Sequence, residues 1–393
     1  MITTINNKHK KLNVPNLRFK EFQGEWETFT FDEIAQYKKG PFGSALKKDL
    51  FVPQSENAIK VYEQQNAIKK DWTLSRYYIT KDYFNAHMKQ FVAKAGDLIV
   101  SCAGTIGVVY ELPKDAEEGV FNQALMRVRV NNEVVNKEIF ITVFSSMIDK
   151  FSKIYSNGSA IKNIPPFADL KKTQVYLPCK EEQIVIAQLL RSLDERIATQ
   201  NKIIEDLKML KSAISENLFK EVKGDVVMLF EICEISKGKQ INGEFLSEKG
   251  KYYVMNGGTE PSGYYNNYNV EANTISISEG GNSCGYVQFN TSPFWSGGHC
   301  YTIQEIADNV DNLYLYHFLK SKEDAIMKLR IGSGLPNIQK KDLAMFKIKI
   351  PTVEQQKAIS TFLSSLERKA EIEERIQNAM QKEKQYLLRQ MFI

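Results

Sequence analysis

The sequence predicts an α+β chain built as a pseudo-two-fold tandem repeat: two mixed α/β domains separated by two long antiparallel coiled-coil helices. Three observations predict it. A segment around Pro178 recurs without a gap at an offset of 173 residues. Two stretches of about 40 residues contain neither Gly nor Pro and carry apolar residues at heptad spacing. The remainder breaks into short β-prone runs punctuated by Gly-rich turns.

The repeat fixes the layout of everything else. "TQVYLPCKEEQIVIAQLLRSLDERI" aligns with "FKIKIPTVEQQKAISTFLSSLERKA": Pro178 with Pro351, Glu181 with Glu354, Gln183 with Gln356, and Leu190, Ser192 and Leu193 with Leu363, Ser365 and Leu366. The register holds to Leu218-Phe219 and Met391-Phe392. Upstream, Gly158-Ser159, Asn163-Ile164 and Asp169-Leu170 align with Gly332-Ser333, Asn337-Ile338 and Asp342-Leu343 after one residue of slippage. Farther back, "FDEIAQYKKG" (31–40) resembles "LFEICEISKG" (229–238), and "AGDLIVSCAGTIGVVY" (95–110) resembles "EANTISISEGGNSCGYV" (271–287). The expected partition is a domain at 1–180, a helix at 181–222, a domain at 223–353 and a helix at 354–393. The helices have stayed alike while the domains have diverged. That contrast gives the helices a constant task and the domains a variable one.

In the first helix the seam runs Leu190, Leu193, Ile197, Gln200, Ile204, Leu207, Lys211, Ile214, Leu218. In the second it runs Leu363, Leu366, Ala370, Glu373, Gln377, Met380, Lys384, Leu387, Met391. The alternating three-and-four spacing is that of a coiled coil with polar interruptions. At ~1.5 Å per residue each helix is a rod roughly 60 Å long. Its apolar stripe needs cover, and the other rod supplies it: antiparallel pairing places one globular domain at each end. Leu190, Leu193, Ile197, Ile204, Leu207, Leu363, Leu366, Met380 and Leu387 are the candidate partner-binding positions of the helices. Ile203, Leu210, Ile372 and Ile376 lie beside the seam and leave apolar surface for a second protein.

Strand-like runs in the domains include "QFVAKAGDLIVS", "ALMRVRV", "NTISIS" and "YTIQEI", which suggest mostly antiparallel sheets. One helical run, "NKEIFITVFSSMIDKFSKIY" or "DNLYLYHFLKSKEDAIMKL", precedes each Gly-Ser element. Polar, glycine-rich loops lie between the strands in both copies. In the first they carry Lys38, Lys39, Ser44, Lys47 and Lys48, then Gln64, Gln65, Asn66, Lys69 and Lys70. In the second they carry Lys237, Lys239, Gln240 and Asn242, then Asn256, Thr259 and Asn282. These side-chain types hydrogen-bond base edges and phosphates: Lys to phosphate or guanine, Asn and Gln to adenine, Ser and Thr to either. Their concentration in both copies makes them the candidate DNA-binding residues.

Charge agrees with that choice. The net +5 is uneven: residues 1–180 hold 26 Lys+Arg against 19 Asp+Glu, which favours a polyanion partner. Hydrophobic content of 43% and charged content of 25% are those of an ordinary globular protein. No run approaches the ~18–20 apolar residues of a membrane helix. The polar N-terminus does not read as a signal peptide, so the cytoplasm is the expected location. Five cysteines without a Cys-x-x-Cys spacing and four scattered histidines predict neither a disulfide framework nor a metal site.

One stretch points elsewhere. Asn163-Ile164-Pro165-Pro166-Phe167 resembles the Asn-Pro-Pro-Phe loop of enzymes that methylate adenine N6 in DNA, with an inserted Ile. The second copy reads Asn337-Ile338-Gln339-Lys340-Lys341, so the prolines are not the shared element. No Phe-x-Gly-x-Gly loop follows a strand to hold S-adenosylmethionine. The stretch reads as a turn, and no residue is assigned a catalytic role.

Taken together, the domain–helix–domain–helix order, the twice-present "IPPFADLKKTQVYLPCKEEQIVIAQLLRSLDERI" type of transition and "YVMNGGTEPSGYYNNYNVEANTISISEGGNSCGYV" resemble the specificity subunits of type I restriction-modification systems over essentially the whole chain. The resemblance implies a non-catalytic subunit in which each target-recognition domain reads one half of a bipartite site in double-stranded DNA. It implies that the helices set the spacer and dock two methyltransferase subunits, and that restriction subunits join. S-adenosylmethionine, ATP and Mg2+ would belong to those partners. The alternatives are a self-sufficient adenine DNA methyltransferase, which the missing cofactor loop argues against, and a coiled-coil scaffold for proteins.

Overall fold

A computed structural model describes residues 2–4, 13–155, 167–332, 334 and 336–392. The chain forms two compact units, Met1–Arg196 with Met380–Ile393, and Ile197–Ala379. Four helices organise them: α1 (Lys137–Tyr155), α2 (Lys180–Glu221), α3 (Asn312–Ser321) and α4 (Val353–Met391). Each unit holds part of α2 and part of α4.

The first unit contains an antiparallel sheet in the order Ala35–Lys39, Leu125–Val130, Leu98–Ser101, Val109–Glu111. Its period of two sorts the side chains onto two faces. Met126, Val128, Leu98 and Val100 face Phe140 and Phe144 of α1, while Leu125 and Ile99 join Tyr62 and Phe121. Those last two belong to a second sheet in the order Tyr77–Thr80, Ala58–Tyr62, Gly119–Phe121, Val92–Ala93. Its central pair, Ala58–Tyr62 with Gly119–Phe121, is parallel, which the alternation in the sequence did not announce.

The second unit repeats the plan. Its antiparallel sheet runs Glu234–Lys237, Cys300–Gln304, Thr274–Ser278, Val287–Asn290, and its smaller sheet runs Gly263–Tyr265, Tyr252–Met255, Trp295–Ser296, again with one parallel pair. A two-strand ribbon also recurs, Glu27–Thr30 with Gln174–Leu177 and Asp225–Met228 with Lys347–Ile350. The helical run of the second copy is broken: α3 ends at Ser321 and a short helix resumes at Glu323–Met327.

The repeat has a physical cause at its matched leucines and glutamines. Leu190 is buried in the first core with Met391, and Leu363 in the second core with Phe219. Phe219 meets Tyr314 and Phe318 edge-on at 5.6 and 5.3 Å. The matched glutamines do one job twice. Gln183 Nε2 donates to the carbonyls of Val134 (3.1 Å) and Pro178 (2.9 Å), and its Oε1 accepts from the Asn136 amide (2.7 Å). Gln356 does the same with Asn309 (3.0 Å), Pro351 (2.9 Å) and Asp311 (2.8 Å). Each clips the start of a long helix to the turn before α1 or α3, and no hydrocarbon side chain could satisfy those groups.

The polar interruptions of the seams pair across the two helices, Gln200 with another seam position and the lysines with carboxylates beside it. Lys384 meets Asp194 in the first unit, and Lys211 meets Glu367 at 2.8 Å in the second. Gln200 donates to Glu373 Oε2 at 2.6 Å. A slip of the helices would leave buried Gln200 unpaired and separate the half-exposed ion pairs, which favours the antiparallel register. Among the described residues no helix is long and apolar enough to cross a membrane.

Candidate nucleic-acid interface

Sheet register decides which loops meet. Met126 lies opposite Lys39, and Leu125 opposite Ser101. The chain leaving Lys39, the chain leaving Ser101 and the chain approaching Leu125 therefore converge at one edge. In the second unit Tyr301 lies opposite Lys237 and Cys300 opposite Ser278, with the same consequence. The backbone bonds are matched too. The Gly40 amide donates to Leu125 O and the Gly238 amide to Cys300 O, both at 2.9 Å. The Cys102 amide donates to Ala124 O at 2.8 Å and the Glu279 amide to His299 O at 2.9 Å. At Gly40 the approach is so close that a Cβ would lie 1.9 Å from Asn122 O, which makes glycine obligatory there.

The smaller sheet of each unit adds a third loop to the cluster. Gln64, after strand Ala58–Tyr62, donates to Thr105 O at 3.3 Å and to Ala103 O. Asn256, after strand Tyr252–Met255, accepts from the His299 amide at 3.0 Å through Oδ1. The candidate residues thus divide by role. Lys39, Ser44, Lys47, Lys48, Gln65, Lys69 and Lys70 in the first unit are exposed, as are Lys237, Lys239, Gln240, Asn242, Thr259 and Asn282 in the second. Lys38 is half-buried, donates to Gln90 Oε1 at 2.8 Å and lies 5.0 Å from the centre of the Phe91 ring.

Asn66 requires correction as a DNA-binding candidate. It is buried, its Nδ2 donates to Asp71 O (2.9 Å) and Leu74 O (2.8 Å), and its Oδ1 accepts from the Glu63 amide (2.8 Å). Three of its four hydrogen-bonding sites hold the turn that presents Lys69 and Lys70. Gln64 and Asn256 likewise shape loops. Asn242 Oδ1 caps the turn Gly243–Phe245.

Four residues missing from that set stand in the clusters. Phe42 and Phe245 are exposed to 90% and 65%, each in the loop after the first strand of its sheet. Glu279 and His299 face each other in the second unit, with Glu279 Oε2 3.4 Å from His299 Nδ1. Lys237 Nζ holds Glu279 Oε1 at 2.5 Å. The only sequence signal for this pair is the alignment of 95–110 with 271–287, which sets Glu279 opposite Cys102.

The helix positions also need correcting. Leu190, Ile204 and Leu363 are buried, and Leu193, Ile197, Leu207, Leu366, Met380 and Leu387 are half-buried. The buried three are closed to another protein. The apolar surface that remains open lies beside the seam, at Ile203, Leu210, Ile372 and Ile376, with Met209, Phe362 and Tyr386. The Asn163–Pro166 stretch lies outside the described residues.

The fold and its two loop clusters define a duplicated binding protein that presents different side chains from one repeated scaffold. The chain belongs to the family described as type I restriction modification DNA specificity domain, whose model matches residues 23–209 and 221–382. It is 35% identical over 138 residues to a protein of Mycoplasma pneumoniae named as a type I specificity subunit; that match covers 35% of this chain and 36%, about a third, of the relative's length. It is 22% identical to the MjaVIII type I restriction enzyme specificity subunit of Methanocaldococcus jannaschii, over 94% of each chain. The fold is similar to the crystal structure of a type I restriction-modification S subunit from M. genitalium, with a TM-score of 0.60 at 19% identity, covering 97% of this chain and 99% of the other.

Proposed function

We propose that this chain is the non-catalytic DNA-recognition subunit of a type I restriction-modification enzyme. Each domain, 1–180 and 223–353, reads one half of a bipartite, asymmetric site in double-stranded DNA. One observation carries the reading: matched backbone bonds in both units present different side chains, with Lys39 and Lys237 alike but Cys102 in the first unit at the place Glu279 takes in the second, and Ala124 at that of His299. A scaffold kept constant beneath a varied surface suits two readers of two different half-sites. The exposed lysines supply phosphate attraction, and the Asn, Gln and Thr side chains supply base contacts.

The helices set the spacer between half-sites and dock two methyltransferase subunits on their open apolar faces, after which restriction subunits join. The partners bind S-adenosylmethionine, ATP and Mg2+; this chain supplies the sequence information and holds the register. The test exchanges residues 224–351 for the matching domain of a related subunit, followed by sequencing of the methylated motif in cells. One half of the motif should change while the other half and the spacer stay. A change in both halves, or a micromolar one-to-one titration of the purified chain with S-adenosylmethionine, would overturn the proposal.

A further inference from the structure

We infer that His299, oriented by the buried Glu279 carboxylate, is a base-reading residue of the second domain, accepting a hydrogen bond from an exocyclic amino group in the major groove. The inference rests on the reading of that domain as a half-site reader and names one of its letters. Glu279 is unusual in its place. A carboxylate at 9% exposure is costly unless its oxygens are paired. Oε1 is paired, with Lys237 Nζ at 2.5 Å and the Tyr301 hydroxyl at 3.2 Å. Burial, with Glu279 adding to it, pushes the Tyr301 hydroxyl up to about 12, so it stays a donor. Oε2 is buried and has no hydrogen-bond partner among the described residues. The side chain beside it is His299, with Nδ1 at 3.4 Å.

The backbone of His299 is held on both sides, by the Asn256 side chain at its amide and by the Glu279 amide at its carbonyl. Gly257 packs so closely that a Cβ there would lie 3.0 Å from His299 Cβ. Yet the imidazole itself is 62% exposed. The carboxylate 3.4 Å from Nδ1 is not aligned as a hydrogen bond, but its charge beside that nitrogen favours the tautomer that carries the ring proton there. Nε2 is then the free acceptor of an exposed ring on a rigid mount, and the amino groups in the major groove are adenine N6 and cytosine N4. The first domain keeps the equivalent backbone bond but has Cys102 and Ala124 at these two places. The two units therefore differ in hydrogen-bonding chemistry at a point where their scaffolds agree.

The test uses the full chain with its methyltransferase partner in cells, with the methylated motif read by sequencing. His299→Ala should make one position of the second half-site degenerate, with discrimination there falling roughly 5- to 150-fold. The first half-site and the spacer should be unchanged. Glu279→Gln should relax the same position, because it acts through the imidazole; His299→Gln, which keeps an acceptor, should retain part of the preference. An unchanged motif in His299→Ala would overturn the inference alone. So would a uniform loss of affinity in which the slope of log K against log salt drops by about 0.9, since that marks the neutralisation of a phosphate. If the wild-type chain directs no split motif, the half-site reading falls and takes this inference with it.

Discussion

Replacing Gln356 by Leu removes one side chain and strands three backbone partners, one at buried Pro351 and two at the more open Asn309 and Asp311. Gln356 is fully buried. Its amide serves the carbonyls of Asn309 and Pro351, and its oxygen serves the Asp311 amide. Leu fills nearly the same space and satisfies none of them. At about 1–3 kcal/mol for each unsatisfied group, reduced where water reaches the turn, the loss is about 2–5 kcal/mol. For a unit the size of Ile197–Ala379 that corresponds to a fall of roughly 4–20 °C in the transition temperature. Differential scanning calorimetry of the purified chain is the assay. Gln183→Leu should cost a similar amount, because Gln183 makes the same three bonds with Val134, Pro178 and Asn136. Gln355→Leu, at an exposed neighbouring position, is the control and should stay within about 0.5 kcal/mol. If Gln356→Leu behaves like that control, the repeated Pro and Gln of the helix starts are not a structural clip.

Removing Lys47 and Lys48 together by alanine substitution should weaken DNA binding and lower the steepness of log K against log salt by about 0.9 for each phosphate that these lysines neutralise; unchanged affinity and slope would show that this loop does not touch DNA. Inserting one heptad, about 10 Å, after Ile204 and after Gln377 preserves the seam and should lengthen the spacer of the methylated motif by up to about three base pairs at ~3.4 Å each, or abolish activity. Full activity on the original motif would show that the helices do not measure the gap. His317 provides a pH prediction, because burial lowers it from 6.5 to about 4. The unfolded chain then binds the extra proton between those values, so stability is complete above about pH 6.5 and falls by up to about 3 kcal/mol as pH drops to 4. Glu367, whose carboxyl is held below its usual 4.5, adds its loss only at the acid end of that range. His317→Gln should flatten denaturant-derived stability across the window while keeping a partner for Ser364; a drop of the same size in the variant would assign the effect to other groups.

The tandem plan, the two long helices and their seams were legible because each is a periodic or local feature. An offset of 173 residues survives any folding, and a three-and-four spacing dictates a covered stripe whatever covers it. The polar seam positions were visible as well, although their pairing of Lys211 with Glu367 and Gln200 with Glu373 needed the antiparallel register to be seen. What only the tertiary structure decided lies at long range. Asn66 has the composition of a base reader but is folded inward to hold its own turn. Leu190 and Leu363 look like docking positions but enter the cores of their own units. Glu279 and His299 stand 20 residues apart in the chain and meet because Ser278 pairs with Cys300 across two antiparallel strands. Side-chain type and spacing along the chain hold no record of that register, which is set by the packing of the whole sheet.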